Sequence, residues 1–126
     1  MQSYNTLLSD IMDEMDADVL IFIKEHITSF TRWDVIRFLH ENPNTEDTAE
    51  NLARFVGRAP HVIVRETQEM NKEGILESGR MGEHTVYHLT ADADTRQLIA
   101  NLVQAAHDRT FRMKLVYHIL RAGGEG

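Results

Sequence analysis

The sequence contains seven histidines, and the pair with the sharpest spacing is His107 and His118. Eleven residues is close to three helical turns, so both imidazoles would lie on one helix face and could bind a metal ion. A tetrahedral zinc site normally has at least three protein ligands, and nothing in the pattern requires Asp108 or His26 to supply a third. We therefore expect no bound metal and no cofactor. Histidines on a helix surface or at an interface would instead make self-association sensitive to pH.

Recognisable catalytic motifs are missing from the sequence. Cysteine is absent, which excludes disulfides, thiolate catalysis and cysteine metal sites. The chain contains no Gly-rich phosphate loop, no Gly-x-Ser-x-Gly turn and no His-Glu-x-x-His motif. Ser78 precedes a turn with His84 nearby, but such a pair without an orienting acid is common by chance. We expect no enzymatic activity.

Positive charge is concentrated in one stretch of an otherwise acidic chain. The 126 residues have a formal net charge of −7, and residues 1–30 alone contribute −5. In contrast, Arg54, Arg58 and Arg65 lie in residues 51–65, a stretch without any acidic side chain. If the protein binds a polyanion such as DNA, this stretch is where contact is expected.

Length and composition predict one folded domain. The hydrophobic fraction of 42% and charged fraction of 26% are ordinary for a globular protein. The longest apolar run, Val19–Ile23, is far shorter than the ~20 residues of a membrane helix. No basic segment precedes an apolar one at the N-terminus, so no signal peptide is expected. We expect a cytoplasmic protein that does not contact a membrane.

The N-terminal part is predicted to be helical. Residues 4–15 place apolar side chains at helical spacing, with Ser3 or Asn5 as the cap. A break at residues 16–18 separates them from a second helical pattern that continues to Phe30. The apolar run within that pattern fits a strand when taken alone, but the longer period favours a helix.

Three further helices are expected between residues 31 and 72. The first begins at Thr31, which forms a capping box with Asp34, and stops before Pro43. Its apolar stripe comprises Val35, Ile36 and Leu39. The second is capped by Thr48 and ended by Gly57, and its expected buried residues are Leu52, Phe55 and Val56. The third starts at Pro60 and turns Ile63, Thr67 and Met70 inward.

The remaining sequence indicates a β-hairpin and one long helix. Residues 75–78 and 84–90 are predicted strands, joined by a turn at residues 79–83 that contains two glycines. A helix then starts at Asp92 or Asp94 and continues to about residue 122. A loose tail, residues 123–126, follows it.

This order of elements, together with residues 59–76, resembles the winged helix-turn-helix of MarR- and ArsR-type regulators. Those families favour an apolar residue, further ones four and seven positions on, then Gly and an apolar pair. The slots here hold Ile63, Thr67, Met70, Gly74, Ile75 and Leu76. Residues 86–90 resemble the strand that closes their wing. The slot usually filled by Leu holds Thr67, and Ala59 is a poor cap, so no subfamily is assigned.

The resemblance covers residues 31–90 and implies a mainly α fold with a small β-hairpin. We expect a single domain, 1–126, with a winged helix-turn-helix core at 31–90. Helical segments at 1–30 and 91–122 would flank that core. These segments are expected to pack into a two-fold homodimer interface, although they could instead fold back on their own domain.

The resemblance and the basic stretch together predict a sequence-specific, double-stranded-DNA-binding transcriptional regulator. The 60–72 helix would enter the major groove and the wing at 79–84 would touch flanking DNA. Arg65 would contact guanine, unless it pairs with Glu69 four residues on. The full set of expected DNA-binding residues is Arg54, Arg58, His61, Val62, Arg65, Gln68, Arg80 and His84.

Three other possibilities remain at the sequence level. Val62 and Val64 make the 60–72 helix apolar, and Glu66, Glu69 and Glu73 oppose phosphate, as in a protein–protein interaction module. A small-molecule effector is a second possibility, and the sequence does not identify it. The third is a metal sensor, because the spacing of His107 and His118 resembles that of two histidines in ArsR-type metal sensors. Their pattern, however, needs further ligands where this chain has Ala105 and Arg121.

Overall fold

The computed structural model describes residues 17–123 as six α-helices and one two-stranded antiparallel hairpin. The expectation of a mainly α chain with a small β-hairpin is thereby confirmed. None of the described helices is long and apolar enough to cross a membrane. The predicted helix at 4–15 and the tail beyond residue 123 lie outside the described residues. The elements are α1 (Ala17–His26), α2 (Phe30–Glu41), α3 (Ala49–Val56), α4 (Pro60–Lys72), β1 (Leu76–Met81), β2 (His84–Leu89), α5 (Ala93–Ala105) and α6 (Arg109–Arg121).

The chain forms two compact units. One contains the residues up to Trp33 together with those from Gln97 onward, and the other contains Asp34–Arg96. The first unit therefore includes α1, most of α5 and all of α6. The second includes most of α2, together with α3, α4 and the hairpin.

The first unit is held together by apolar side chains and one buried histidine. Its buried core includes Val19, Leu20, Phe22, Ile23, Ile27, Ile99, Leu102, Phe111, Leu115 and Ile119. His118 is only 1% exposed, and its Nε2 lies 3.1 Å from the carbonyl oxygen of Ile23. Because a buried polar group is stable only when hydrogen-bonded, this contact fixes α6 against α1.

The prediction of one long C-terminal helix is wrong, because the helix is interrupted between α5 and α6. Asp108 has an extended backbone, and its Oδ2 accepts a hydrogen bond from the N–H of Phe111 at 2.8 Å. This N-cap starts a new helix instead of continuing the previous one. His107 therefore precedes α6 and is exposed, whereas His118 is buried within it. The expectation that both lie on one helix face is also wrong.

Helix α2 begins one residue earlier than predicted and uses a different cap. The hydroxyl of Ser29 accepts a hydrogen bond from the N–H of Arg32 at 3.1 Å, so the helix starts at Phe30. Thr31 is buried inside the helix, so its predicted position as the N-cap is wrong. The apolar stripe of Val35, Ile36 and Leu39 is buried as expected, and the helix ends at Glu41 before Pro43.

The two following helices have the predicted boundaries. The hydroxyl of Thr48 accepts a hydrogen bond from the N–H of Asn51 at 3.2 Å and caps α3. Gly57 ends that helix with φ 71°, in the left-handed region that glycine tolerates best. Pro60 occupies the first turn of α4, which has no side-chain cap at Ala59.

Phe55 departs from the sequence expectation. It was predicted to be buried, but it is 53% exposed and lies on the outer side of α3. Its ring stacks on Phe38 with centroids 5.4 Å apart. An aromatic pair of this geometry is favourable even when it is partly exposed to solvent. The apolar periodicity of α3 therefore does not distinguish this exposed position from a buried one.

The first hairpin strand is longer than predicted, the second ends one residue earlier, and the turn between them is shorter. The register runs from Leu76 opposite Leu89 to Met81 opposite His84. Only Gly82 and Glu83 form the turn, and Gly82 has φ 63°, which suits glycine at the first central position. Residues 79–81, expected in the turn, belong to β1. A β-bridge between Asp47 and Tyr87 pairs a third segment with β2.

The left-handed end of α3 gives a first prediction. Replacing Gly57→Ala should lower the free energy of unfolding by about 1 kcal/mol, because an L side chain is strained at this φ. The added Cβ would meet no atom within 4 Å, so the cost is conformational. Gly79→Ala is the control, since its Cβ would make only ordinary contacts at 3.8 Å. Equal losses in urea denaturation of the two variants would contradict this account.

The buried histidine gives a second prediction. Burial lowers the pKa of His118 because it disfavours the imidazolium, while the carbonyl groups of Ile23 and Ile27 oppose that effect and Lys24 adds to it. The unfolded chain therefore binds more protons as pH falls through about 6.5. The free energy of unfolding should be fully retained above that pH and should decrease below it.

His118→Gln should flatten this decrease, since its amide N–H can still donate to the carbonyl of Ile23. His107→Gln, at an exposed position, serves as the control. The measurement is urea denaturation at several pH values between about 7.5 and 5. An unchanged pH dependence in His118→Gln would exclude the buried imidazole as its cause. The carboxyl groups of Glu77 and Asp92 contribute to the pH dependence of stability at lower pH, because hydrogen bonds to each carboxylate lower its pKa.

Candidate nucleic-acid interface

Helix α4 is positioned by an inner face that packs against neighbouring elements of its own unit. It packs against α3 and against β1. Ile63, Thr67 and Met70 are fully buried, as the sequence predicted. The hydroxyl of Thr67 donates to the carbonyl oxygens of Ile63 at 2.8 Å and Val64 at 3.1 Å, so this polar side chain is satisfied within its own helix.

The opposite face of α4 brings together three of the sequence-predicted site residues. His61, Arg65 and Gln68 are all exposed, and the Arg65 side chain retains 67% of its accessible surface. At 3.6 residues per turn, the three lie within one arc directed away from the buried face. Lys72 continues the arc and was missed from sequence, although its position seven residues after Arg65 was a usable signal.

Glu66 does not lie where the sequence placed it. It was expected to point outward, but it is 8% exposed on the inner side of α4. The Nε of Arg65 lies 3.5 Å from Oε1 of Glu66, whereas Glu69 pairs with Lys72 at 3.4 Å. The expected alternative, an ion pair between Arg65 and Glu69, is therefore not the one formed. A pair whose arginine is this exposed contributes little stability and leaves the guanidinium accessible.

Val62 and Val64 are half-buried, so neither forms an open apolar patch. Val62 lies at the edge of the outward arc, where its methyl groups could contact a thymine methyl. Val64 lies on the other side of α4, nearer Asn71. The helix therefore presents a mixed polar arc that is less apolar than the sequence suggested.

Arg54 and Arg58 differ in how firmly they are held. Arg54 is exposed on α3, and its guanidinium contacts the side-chain oxygen of Asn51 one turn earlier. Both Nε and Nη2 of Arg58 donate to Oδ2 of Asp34, at 2.9 and 2.8 Å. Arg58 therefore joins the turn before α4 to helix α2, whereas Arg54 is the more accessible of the two.

Arg80 and His84 do not act as one cluster. Arg80 lies opposite Thr85 and His84 lies opposite Met81. Because paired residues share a face and successive residues alternate, the two side chains point to opposite faces of the hairpin. Both were expected at the wing tip, residues 79–84, and the strand pairing directs them to opposite faces there.

An open groove of about 460 Å³ lies beside the face of the hairpin that carries His84. Asp47 and Glu50 line it together with Thr48, Asn51, Met81, His84 and Val86. Two carboxylates in the groove oppose a phosphate backbone, since like charges repel at this range. Arg80, on the other face, is therefore the better placed of the two for an anionic partner.

No group of three or more metal-ligating side chains is assembled within residues 17–123. His88 lies between two carboxylates, with its Nε2 3.9 Å from Glu46 and 3.8 Å from Glu77.

Neither a protein-family model nor a curated protein matches the chain. The functional assignment therefore rests on the geometry of the site.

The two arginines give a third prediction. Arg58→Ala should lower the free energy of unfolding by about 1 kcal/mol, because Asp34, only 23% exposed, loses two charge-assisted hydrogen bonds. Arg54→Ala should lower it by less than about 0.5 kcal/mol, since an exposed side chain contacts one neighbour on its own helix. Urea denaturation of both variants tests the difference. If the two losses are equal, Arg58 has no structural role.

Proposed function

We propose that this protein is a sequence-specific, double-stranded-DNA-binding transcriptional regulator with a winged helix-turn-helix. In this proposal α3 and α4 are the helix-turn-helix, α4 is the recognition helix, and the β1–β2 hairpin is the wing. The observation that carries the proposal is the exposed arc of His61, Arg65 and Gln68 on a helix whose opposite face is buried. A helix presented in this way fits the B-DNA major groove.

Each side chain of the arc has a suitable chemistry for this role. Arg65 can donate two hydrogen bonds to guanine, a contact that discriminates between bases by about 1–3 kcal/mol. Gln68 can both donate to and accept from adenine. His61 lies in the first helical turn, which approaches base edges most closely, and Arg54 is accessible to the phosphate backbone.

The proposal includes a homodimer. One recognition helix buries little surface, so regulators of this type bind two half-sites with two copies. The N- and C-terminal helical segments are the proposed source of the dimer interface. A regulator of this kind would act in the cytoplasm, and its effector, if it has one, is unidentified.

A protein–protein interaction module is the second candidate. The observation that favours it is the exposure of large apolar side chains in the same unit, Phe55 at 53% and Met81 at 58%. Glu50 lines the groove beside Met81, so this surface would suit an apolar partner that carries positive charge. Binding through it would depend on salt less steeply than DNA binding does, because fewer charges are neutralised.

Selection from a random double-stranded DNA library at moderate salt gives the fourth prediction. The wild-type protein should enrich an inverted repeat. Arg65→Ala should lose or relax one base position, with about 1–3 kcal/mol less discrimination there. The affinity of the wild type should fall steeply as salt rises, because each phosphate contact releases a counterion.

Arg37→Ala is the matched control. Arg37 is an exposed arginine of α2 that lies near Asp34 and Glu41, outside the proposed interface. The control should enrich the same repeat as the wild type. If the folded wild-type protein enriches no sequence, the regulator proposal fails and the interaction module becomes the leading candidate. Equal losses in Arg65→Ala and Arg37→Ala would remove Arg65 from the proposed base contacts.

A further inference from the structure

The two faces of the β1–β2 hairpin differ in charge. Because paired residues share a face, Arg80 lies on one face together with Ser78 and Thr85. The other face, which we call the groove face, carries no lysine or arginine. It comprises Glu77, Gly79 and Met81 of β1 and His84, Val86 and His88 of β2. The open groove of about 460 Å³ lies on this face.

Carboxylates border the groove face at both ends. At the hairpin tip, Glu50 of α3 is exposed and lines the groove together with Met81, the last residue of β1. At the other end, Glu46 and Glu77 lie 3.9 and 3.8 Å from Nε2 of His88, and their side chains are 47% and 45% exposed. Both distances are too long for a hydrogen bond, so these carboxylates remain accessible to a partner.

The negative charge of the groove is not balanced by cations of its own lining. No lysine or arginine is among the described residues that line it. Asp47 also lines the groove, and its Oδ1 accepts hydrogen bonds from the N–H of Thr48 at 2.8 Å and the amide of Asn51 at 2.7 Å. Arg54, one turn after Glu50 on α3, contacts Asn51 and lies outside the lining. The complementary partner is therefore positively charged.

The floor of the groove between the two acidic ends is apolar. Met81 is 58% exposed, and Val86 lines the groove beside it. Gly79 lies between Glu77 and Met81 on the same face and adds no side chain that would fill the space. An apolar side chain of a partner would remove Met81 from water, which favours association.

Gly79 is a second observation that indicates a partner on this face. Its φ is outside the left-handed region, and the register continues through it without a bulge. An added Cβ would make only ordinary contacts at 3.8 Å, with Glu46 and Val86. Neither the conformation nor the packing of β1 therefore requires glycine. Glycine weakens the interior of a strand, and it often marks a site where another backbone approaches closely.

We propose that the groove face binds an extended peptide segment of another protein. The segment carries two basic side chains four residues apart, with an apolar side chain midway between them. Glu77 and Met81 are separated by four residues of β1, which is about 13 Å at 3.3 Å per residue. An extended peptide has the same rise, and its side chains i, i+2 and i+4 point to one side. Its spacing therefore matches the distance between the two acidic ends.

Each side chain of the segment has a defined contact. One basic side chain pairs with Glu46 and Glu77, and the other pairs with Glu50. The apolar side chain between them covers Val86, and the peptide backbone passes over Gly79. Hydrogen bonds between charged groups give such a contact specificity for the spacing as well as affinity.

The groove face leaves the proposed DNA contacts accessible. Arg80 points to the opposite face of the hairpin, and Arg65 lies on α4 outside the groove lining. The site rests on the surface that carries the second candidate function, and it does not require that DNA binding be absent. A protein with both surfaces would hold DNA through one face of the hairpin and a partner protein through the other.

Selection from a phage-displayed library of random peptides, with the full-length protein as target, tests the pattern. The enriched peptides should share two Lys or Arg residues four positions apart with an apolar residue midway. A labelled peptide of that sequence should bind at least about tenfold more tightly than a scrambled peptide of the same composition. No enrichment, or equal binding of the scrambled peptide, would overturn the proposal, because charge alone would then explain any binding.

Variants of the groove locate the peptide on it. Glu50→Gln should raise the peptide Kd at least about threefold, because a charge-assisted contact is lost. Glu69→Gln is the matched control, since it removes the same charge from α4, where Glu69 pairs with Lys72. Gly79→Ala should also raise the Kd, because its methyl group obstructs the peptide backbone. Fluorescence anisotropy gives the Kd, and circular dichroism confirms that each variant is folded. Equal Kd values for Glu50→Gln and Glu69→Gln would contradict the assigned site.

The DNA selection described above keeps the two proposals distinguishable. Arg65→Ala should bind the selected peptide with the Kd of the wild type, and a loss of peptide binding in this variant would place the site on α4 and overturn the groove face. Peptide binding without any enriched DNA would keep this site and remove the regulator function. An enriched DNA repeat without an enriched peptide pattern would overturn this site and leave the regulator function intact.

Discussion

Burial of one face of α4 determines which side chains of that helix can contact a partner. Ile63, Thr67 and Met70 are fully buried, and the helical period then directs His61, Arg65 and Gln68 outward. The buried face tolerates threonine because its hydroxyl bonds to carbonyl oxygens of the preceding turn. Without this internal bond, a polar group in that position would cost about 1–3 kcal/mol of stability. The outward arc therefore depends on packing on the other side of the helix.

The charge distribution limits how much long-range electrostatic attraction could contribute to binding of a polyanion by the outward arc. The chain has a net charge of −7, and carboxylates line the groove beside one face of the hairpin. Arg58, which the sequence suggested as a phosphate contact, is held by Asp34. Long-range attraction to a polyanion is therefore weak, so in the proposed complex the affinity would come from short-range contacts of α4 and Arg54 with bases and phosphates.

Local signals predicted the helical boundaries of α3 and α4 correctly. Thr48, Gly57 and Pro60 act within a few residues of their own position, so their effect can be read without the rest of the fold. The failures arose where neighbouring signals compete or where tertiary packing decides. Ser29 and Thr31 could both cap α2, and Ser29 does so. Asp108 starts a new helix inside an uninterrupted apolar period.

The sequence predicted those parts of the candidate site that depend only on local geometry. The arc on α4 follows from the helical period alone, and this is why His61, Arg65 and Gln68 were identified. Burial of Glu66 and exposure of Phe55 depend on neighbours that are distant in sequence, so the period could not reveal them. Likewise, Arg80 and His84 point in opposite directions because of the strand register. The glycine-containing segment 79–83 does not predict that register.

The division into two units has a consequence for how a dimer would affect DNA binding. The helical segments of the proposed dimer interface belong mainly to one unit, and the proposed recognition helix lies in the other. Changes to those segments therefore leave the arc on α4 chemically intact. When two half-sites are bound together, the second contact becomes intramolecular and gains an effective concentration. Loss of the dimer would then weaken affinity for a paired site while the preference at each half-site stayed the same.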